Sequence, residues 1–278
     1  MSVIFLIFLV AGCYTFTTLN DKHAVAKEGI SSAMFTFLMC ASMAVFLIPC
    51  LYFVEVRFDF SPAAFAGVLL MTLCKFIELY MSAVIFRVMS AFELKAWVGT
   101  TLFASYATDV YCGTAFRVQS LLFILLTVIG LALIVRSDKR ERVPYKKILL
   151  PLILYLGSKY GYGLVIKAFA PHASSSVLLL VSLTILSLLL LPTVKPGEMR
   201  EKKKGTLMVV SARIPNTVGM LAENRVALMS LTSYSFIQPM ILCALFVIRM
   251  IRREDVSKVN ILGSLLAVIG LIGFQLFK

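Results

Sequence analysis

Ten apolar stretches divide this chain, and they leave it little else to fold with: 2–19, 31–53, 63–86, 92–110, 118–135, 148–166, 174–191, 207–224, 230–248 and 259–277. They run 18–24 residues. At about 1.5 Å per residue, a helix of that length crosses a hydrocarbon core of about 30 Å. Soluble domains are about 45–50% apolar and about 25% charged; this chain is 60% hydrophobic and 15% charged. The reading is an all-α integral membrane protein of ten transmembrane helices, with no room among its 278 residues for a sizeable soluble domain. The first stretch lacks a basic leader and a small-residue cleavage site, so it is read as a span and not as a signal peptide.

The charged residues sit mainly between the stretches. Of 27 lysines and arginines, 19 count with the loops joining spans 1–2, 3–4, 5–6, 7–8 and 9–10, Lys95 near the start of the fourth span among them, and five with the other side. The two largest loops are Arg136–Lys147 and Thr193–Gly205. Basic residues collect in cytoplasmic loops, which places both termini outside the cytoplasm of a cell membrane. The net charge of +13 is accounted for in this way and implies no nucleic-acid partner. Six cysteines lie in or beside apolar runs without C-x-x-C spacing, which gives neither a disulfide framework nor a metal site.

A repeat is visible at an offset of about 140 residues. Ser31-Ser32 and Pro49 match Ser174-Ser175 and Pro192, Met89-Ser90 matches Met229-Ser230, and Val128-Ile129-Gly130-Leu131 matches Val268-Ile269-Gly270-Leu271. It divides the chain into 1–138 and 139–278, five spans each. An odd number of spans per half makes the halves inverted relative to one another, an arrangement common in secondary transporters.

The segment Arg252–Ser257 followed by Val259–Leu271 resembles the closing hairpin of the drug/metabolite transporter superfamily, in its EamA-like branch. Ala227–Pro239, with Pro239 inside the ninth span, is similar to the preceding helix of that family. Gly113–Leu131 is a weaker copy in the first half. It lacks the acidic residue of the turn, and Gly99 stands where the second half has Pro239. The resemblance implies ten helices as two inverted five-helix repeats around a central cavity, working by alternating access. It says little about the substrate.

Charged groups at bilayer depth cost about 2.5–3.5 kcal/mol each on the insertion scale and therefore point to function. The three basic residues left outside the loop count are Lys75, Lys159 and Arg213, each near the middle of a span. Glu78 shares a helical face with Lys75; Tyr155 and Tyr162 share one with Lys159; Asn216 and Glu223 share one with Arg213. Glu93 and Trp97 align on the fourth span, Tyr234 and Gln238 on the ninth. Lys159 and Arg213, having no acidic partner within their own helices, are expected to hold an anionic group. Lys75, the aromatics Tyr155, Tyr162, Trp97 and Tyr234, and the amides of Asn216 and Gln238 would complete the site. Glu78, Glu223 and Glu93 are the candidate charge-coupling residues, with the proton as coupling ion if transport is proton-driven.

No metalloprotease, serine-hydrolase, Walker A or paired-acid prenyltransferase motif is present, and no enzyme activity or cofactor is expected. The expected function is secondary transport of a small polar metabolite, anionic or zwitterionic, by a monomer or homodimer in the bilayer. The alternatives are a carrier of a quaternary amine or drug-like cation held by an aromatic cage, and a membrane scaffold or enzyme that transports nothing.

Overall fold

A computed structural model describes residues 2–137, 145–194, 196–251 and 258–277. The expected boundary between halves, at 138/139, and the hairpin turn at 252–257 lie outside the described residues. The described chain is all helical, apart from one isolated bridge between Phe58 and Ala173. Its helices are α1 Val3–Ala26, α2 Ser32–Cys50, α3 Pro62–Phe86, α4 Ala91–Gly99, α5 Thr101–Tyr111, α6 Val118–Ser137, α7 Tyr145–Phe169, α8 Ser175–Leu190, α9 Pro196–Glu201, α10 Lys203–Met229, α11 Leu231–Ser235, α12 Ile237–Ile251 and α13 Lys258–Phe277.

Serine hydroxyls start four of these helices. Ser31, Ser61, Ser90 and Ser230 accept from the amides of Met34, Ala64, Glu93 and Ser233 at 3.3, 3.1, 3.1 and 3.1 Å. Each satisfies a backbone donor that the first turn leaves without a partner.

Seven helical segments are long and apolar enough to cross a membrane, so the chain is a multi-pass membrane protein. The three other expected spans fall short for separate reasons. The fourth is interrupted at Thr100, between α4 and α5. The apolar part of α6, Val118–Ile134, is slightly too short. Helix α10 is long enough at 27 residues but carries Arg213, Glu223 and further charges at its ends. The ninth expected span also breaks, at Phe236 between α11 and α12, and the two breaks meet: Ser105 Oγ lies 2.6 Å and Thr101 Oγ1 3.4 Å from Ser235 Oγ. Near the first break, Thr100 and Thr101 hydroxyls donate to the carbonyls of Trp97 and Val98, both at 2.7 Å. Such bonds make a broken helix tolerable away from water.

Helices pair across the sequence: α1 packs on α10, α3 on α7, α2 on α8, α4 on α12, α5 on α11 and α6 on α13. The last pair is the closest. A Cβ on Gly263 would lie 2.5 Å from the Gly130 carbonyl oxygen, and one on Gly130 would lie 2.5 Å from the Gly263 oxygen. Small residues allow this backbone approach where lipid supplies no hydrophobic drive. Gly263→Ala is expected to force the helices apart and lower stability by about 1–3 kcal/mol; the shift of the unfolding midpoint in detergent measures it.

Loops tie the bundle at both ends. At one end Ser174 N donates to Arg57 O at 2.9 Å, and Asp59 N to His172 O at 3.0 Å. At the other, Glu198 accepts from Ser31 N and Oγ at 2.7 and 3.0 Å, and Lys204 Nζ lies 3.3 Å from Glu28. Burial acts to raise the Glu198 carboxyl, but the Ser31 bonds and the Lys202 ammonium outweigh it and hold it below the usual range. A lowered acid stabilises the fold above its unfolded value of about 4.3 and loses that contribution as pH falls through the folded value. The amide-exchange protection factor of Ser31 should therefore drop on acidification below about pH 4.3. Glu198→Gln should lower it already at neutral pH.

Candidate functional site

Five helices bring seven charged side chains into the middle of the bundle: Asp21 from α1, Lys75 and Glu78 from α3, Lys95 from α4, Lys159 from α7, and Arg213 and Glu223 from α10. All are 7% exposed or less. Burying an ion is affordable only when partners replace its water, and here most partners come from other helices.

Glu78 is the centre of one cluster. Its Oε2 accepts from Lys75 Nζ at 2.9 Å and its Oε1 lies 2.7 Å from Lys159 Nζ. Lys159 also reaches Glu223 Oε1 at 3.4 Å, and the other Glu223 oxygen accepts from the Tyr14 hydroxyl. Two rings back the ammonium groups. Lys75 Nζ sits 3.6 Å from the centre of the Tyr162 ring and Lys159 Nζ 5.8 Å from that of Tyr14. Tyr162 donates to Asn224 Oδ1, and Tyr234 to the Lys159 carbonyl at 2.9 Å. In the second cluster Arg213 donates to Asp21 Oδ1, to Met39 Sδ, and to Val209 O at 3.0 Å.

Between the clusters lies a cavity of about 60 Å³, room for a few water molecules. It is lined by Tyr14, Thr17, Thr18, Asp21, Met39, Met43, Lys75, Glu78, Leu79, Ser82, Phe86, Lys95, Tyr155, Lys159, Asn216 and Met220. These residues lie toward the end of the bundle where α1 and α3 finish and α4 and α7 begin. Toward the opposite end Asp109 accepts from Leu231 N, Thr232 N, and the hydroxyls of Ser230 and Thr232 at 2.8–3.2 Å, and pairs with Lys167 at 2.8 Å.

Of the residues expected at the site, Lys75, Glu78, Tyr155, Lys159 and Asn216 line this cavity. Arg213, Glu223, Tyr162 and Tyr234 stand directly behind it. Gln238 is buried, and its Oε1 has no partner among the described residues. Two expectations need correction. Glu93 and Trp97 face outward on α4: Glu93 accepts from Tyr145 on α7, and Trp97, 38% exposed, packs edge-on against the same ring at 6.2 Å. Lys159 and Arg213, expected to bring uncompensated positive charge, are instead neutralised across helices by Glu78, Glu223 and Asp21.

Asp21 and Lys95 escape the sequence pattern, because both look like loop charges at the edges of apolar stretches. Helix α1 continues to Ala26, so Asp21 falls inside it and is buried. Lys95 is 6% exposed in the second turn of α4. All six cysteines are free. No family model matches the sequence, and no curated protein matches it.

Proposed function

We propose that this chain is a secondary transporter of the drug/metabolite type, ten helices in two inverted halves of five (1–138 and 139–278), which moves a small polar metabolite by alternating access. The carrying observation is the small cavity toward one end of the bundle, lined by buried charged side chains from four helices, α1, α3, α4 and α7. A scaffold has no use for a void lined by buried charges, which costs stability.

The ten-span count is supported by which loops touch. Joining segments 1–2 and 7–8 meet through Ser31 and Glu198, and 1–2 and 3–4 through Lys22, which donates to Phe86 O and Met89 O. Segments 2–3 and 6–7 meet through Arg57 and Ser174. Arg117, between spans four and five, donates to Phe277 O at 3.0 Å, next to the C-terminus. Each contact joins segments that ten spans put on one side of a membrane, and miscounting an intervening span would separate some of them. The paired breaks at Thr100 and Phe236 agree with discontinuous helices in corresponding positions of two halves. On this count the cavity lies toward the basic, cytoplasmic side, and the termini face away from it.

An anionic or zwitterionic substrate is favoured over a cation. The Tyr162 and Tyr14 faces that could cage a quaternary amine are already covered by Lys75 and Lys159. Purified protein in liposomes tests the reading. Uptake of a solute from a panel of carboxylates, amino acids, phosphates and amines is expected, with saturation. Vesicles that leak no faster than protein-free controls for every member would overturn it.

A further inference from the structure

Around the cavity, four buried cations face three buried acids: Lys75, Lys95, Lys159 and Arg213 against Asp21, Glu78 and Glu223. Each acid is engaged. Asp21 holds Arg213, Glu78 holds Lys75 and Lys159, and Glu223 holds Lys159 and Tyr14. Lys95 is the cation left over. It lines the cavity, is 6% exposed, and makes no hydrogen bond or ion pair with any described residue. A buried ammonium that touches none of the three acids around it is expensive, and the cavity that it lines gives it somewhere to find a direct partner.

We propose that Lys95 is the anchor for the carboxylate of a small monocarboxylate, the substrate of this cavity. The inference rests on the transport reading above and narrows it. One unpaired positive charge in a low-dielectric site is matched by one negative charge; a dianion would leave an excess of the opposite sign, and a neutral solute would leave the lysine unpaired. The lining also includes the apolar side chains of Met39, Met43, Leu79 and Met220, which suit a short alkyl tail. A volume of about 60 Å³ limits the occupant to a few heavy atoms unless the helices part. Lysine offers a point charge with donors that follow a small carboxylate through a change of shape.

The probes are propionate and butyrate, their primary amides, succinate, phosphate and propylamine. They are read by thermal shift on purified protein and by uptake into liposomes, for the wild type, Lys95→Gln and Lys95→Arg. The monocarboxylates should raise the melting temperature and be taken up, while the amides do neither. Lys95→Gln should weaken monocarboxylate binding about tenfold or more, the scale of one charge-assisted bond, and Lys95→Arg should keep most of it. Removing an unpaired buried charge should leave the unliganded melting temperature of Lys95→Gln unchanged or higher.

Equal protection of wild type and Lys95→Gln by butyrate overturns the lysine assignment and leaves the transport reading standing. So does a sharply lower melting temperature for unliganded Lys95→Gln, which would make Lys95 a structural cation. Uptake of succinate, phosphate or propylamine without the monocarboxylates overturns the ligand class alone. Failure of the whole wider panel of solutes to cross overturns the transport reading and this proposal with it.

Discussion

Replacing Glu78 by glutamine is expected to lower stability by about 3–5 kcal/mol, because two buried ammonium groups lose the carboxylate between them. Lys75 retains only the face of Tyr162, and Lys159 retains Glu223 at 3.4 Å, a longer contact than the 2.7 Å one it loses. An amide of the same shape keeps the packing, so the change isolates charge. The measurement is the unfolding midpoint in a denaturing-detergent titration. Lys75→Met added to Glu78→Gln should restore much of the loss, since it removes one of the stranded charges. A single substitution costing under about 1 kcal/mol, the range of exposed pairs, would mean that water reaches this cluster freely.

Arg213→Met should have an effect of similar size from a different source. Arg213 is fully buried, and its guanidinium donates to Asp21, Met39 and the Val209 carbonyl. Methionine fills much of the volume but leaves Asp21 in the core without its partner. Asp21→Asn strands the arginine in turn. Each single change is expected to cost about 3–5 kcal/mol, and the double variant less than their sum, because a buried pair replaced whole is close to neutral. Additive losses in the double-mutant cycle would deny the pair any coupling.

The positions of the helices were legible in the sequence, and the wiring between them was not. Apolar length alone located every long helix, since a span must hide its backbone from lipid whatever it packs against. Where α1 ends was misjudged for a physical reason. Asp21, Lys22 and His23 look like the start of a loop, and a helix can carry an acid that deep only because Arg213, far away in the chain, arrives to meet it. No local period encodes that meeting. The fourth span shows a second limit. Glu93 and Trp97 do share a helical face, as the spacing implied, but a period says which residues share a face and not which way it turns. The face pointing inward is that of Leu94, Lys95, Val98 and Leu102, all buried. The single charge on it had been counted with the loops.

The pairing of Asp21 with Arg213 sets an order of events during synthesis. The partners are 192 residues apart, so at about 5–20 residues per second the ribosome needs roughly 10–40 s to deliver the arginine after the aspartate has emerged. Helix α3 brings its own lysine and glutamate three residues apart and enters the lipid already neutralised. Helix α1 has no such provision within itself, and must wait at the membrane with a bare carboxylate near its end until α10 is made. Helix α1 is thus locked by this pair only after α10 is made, and the nascent chain carries an unsettled charge across 192 residues of synthesis.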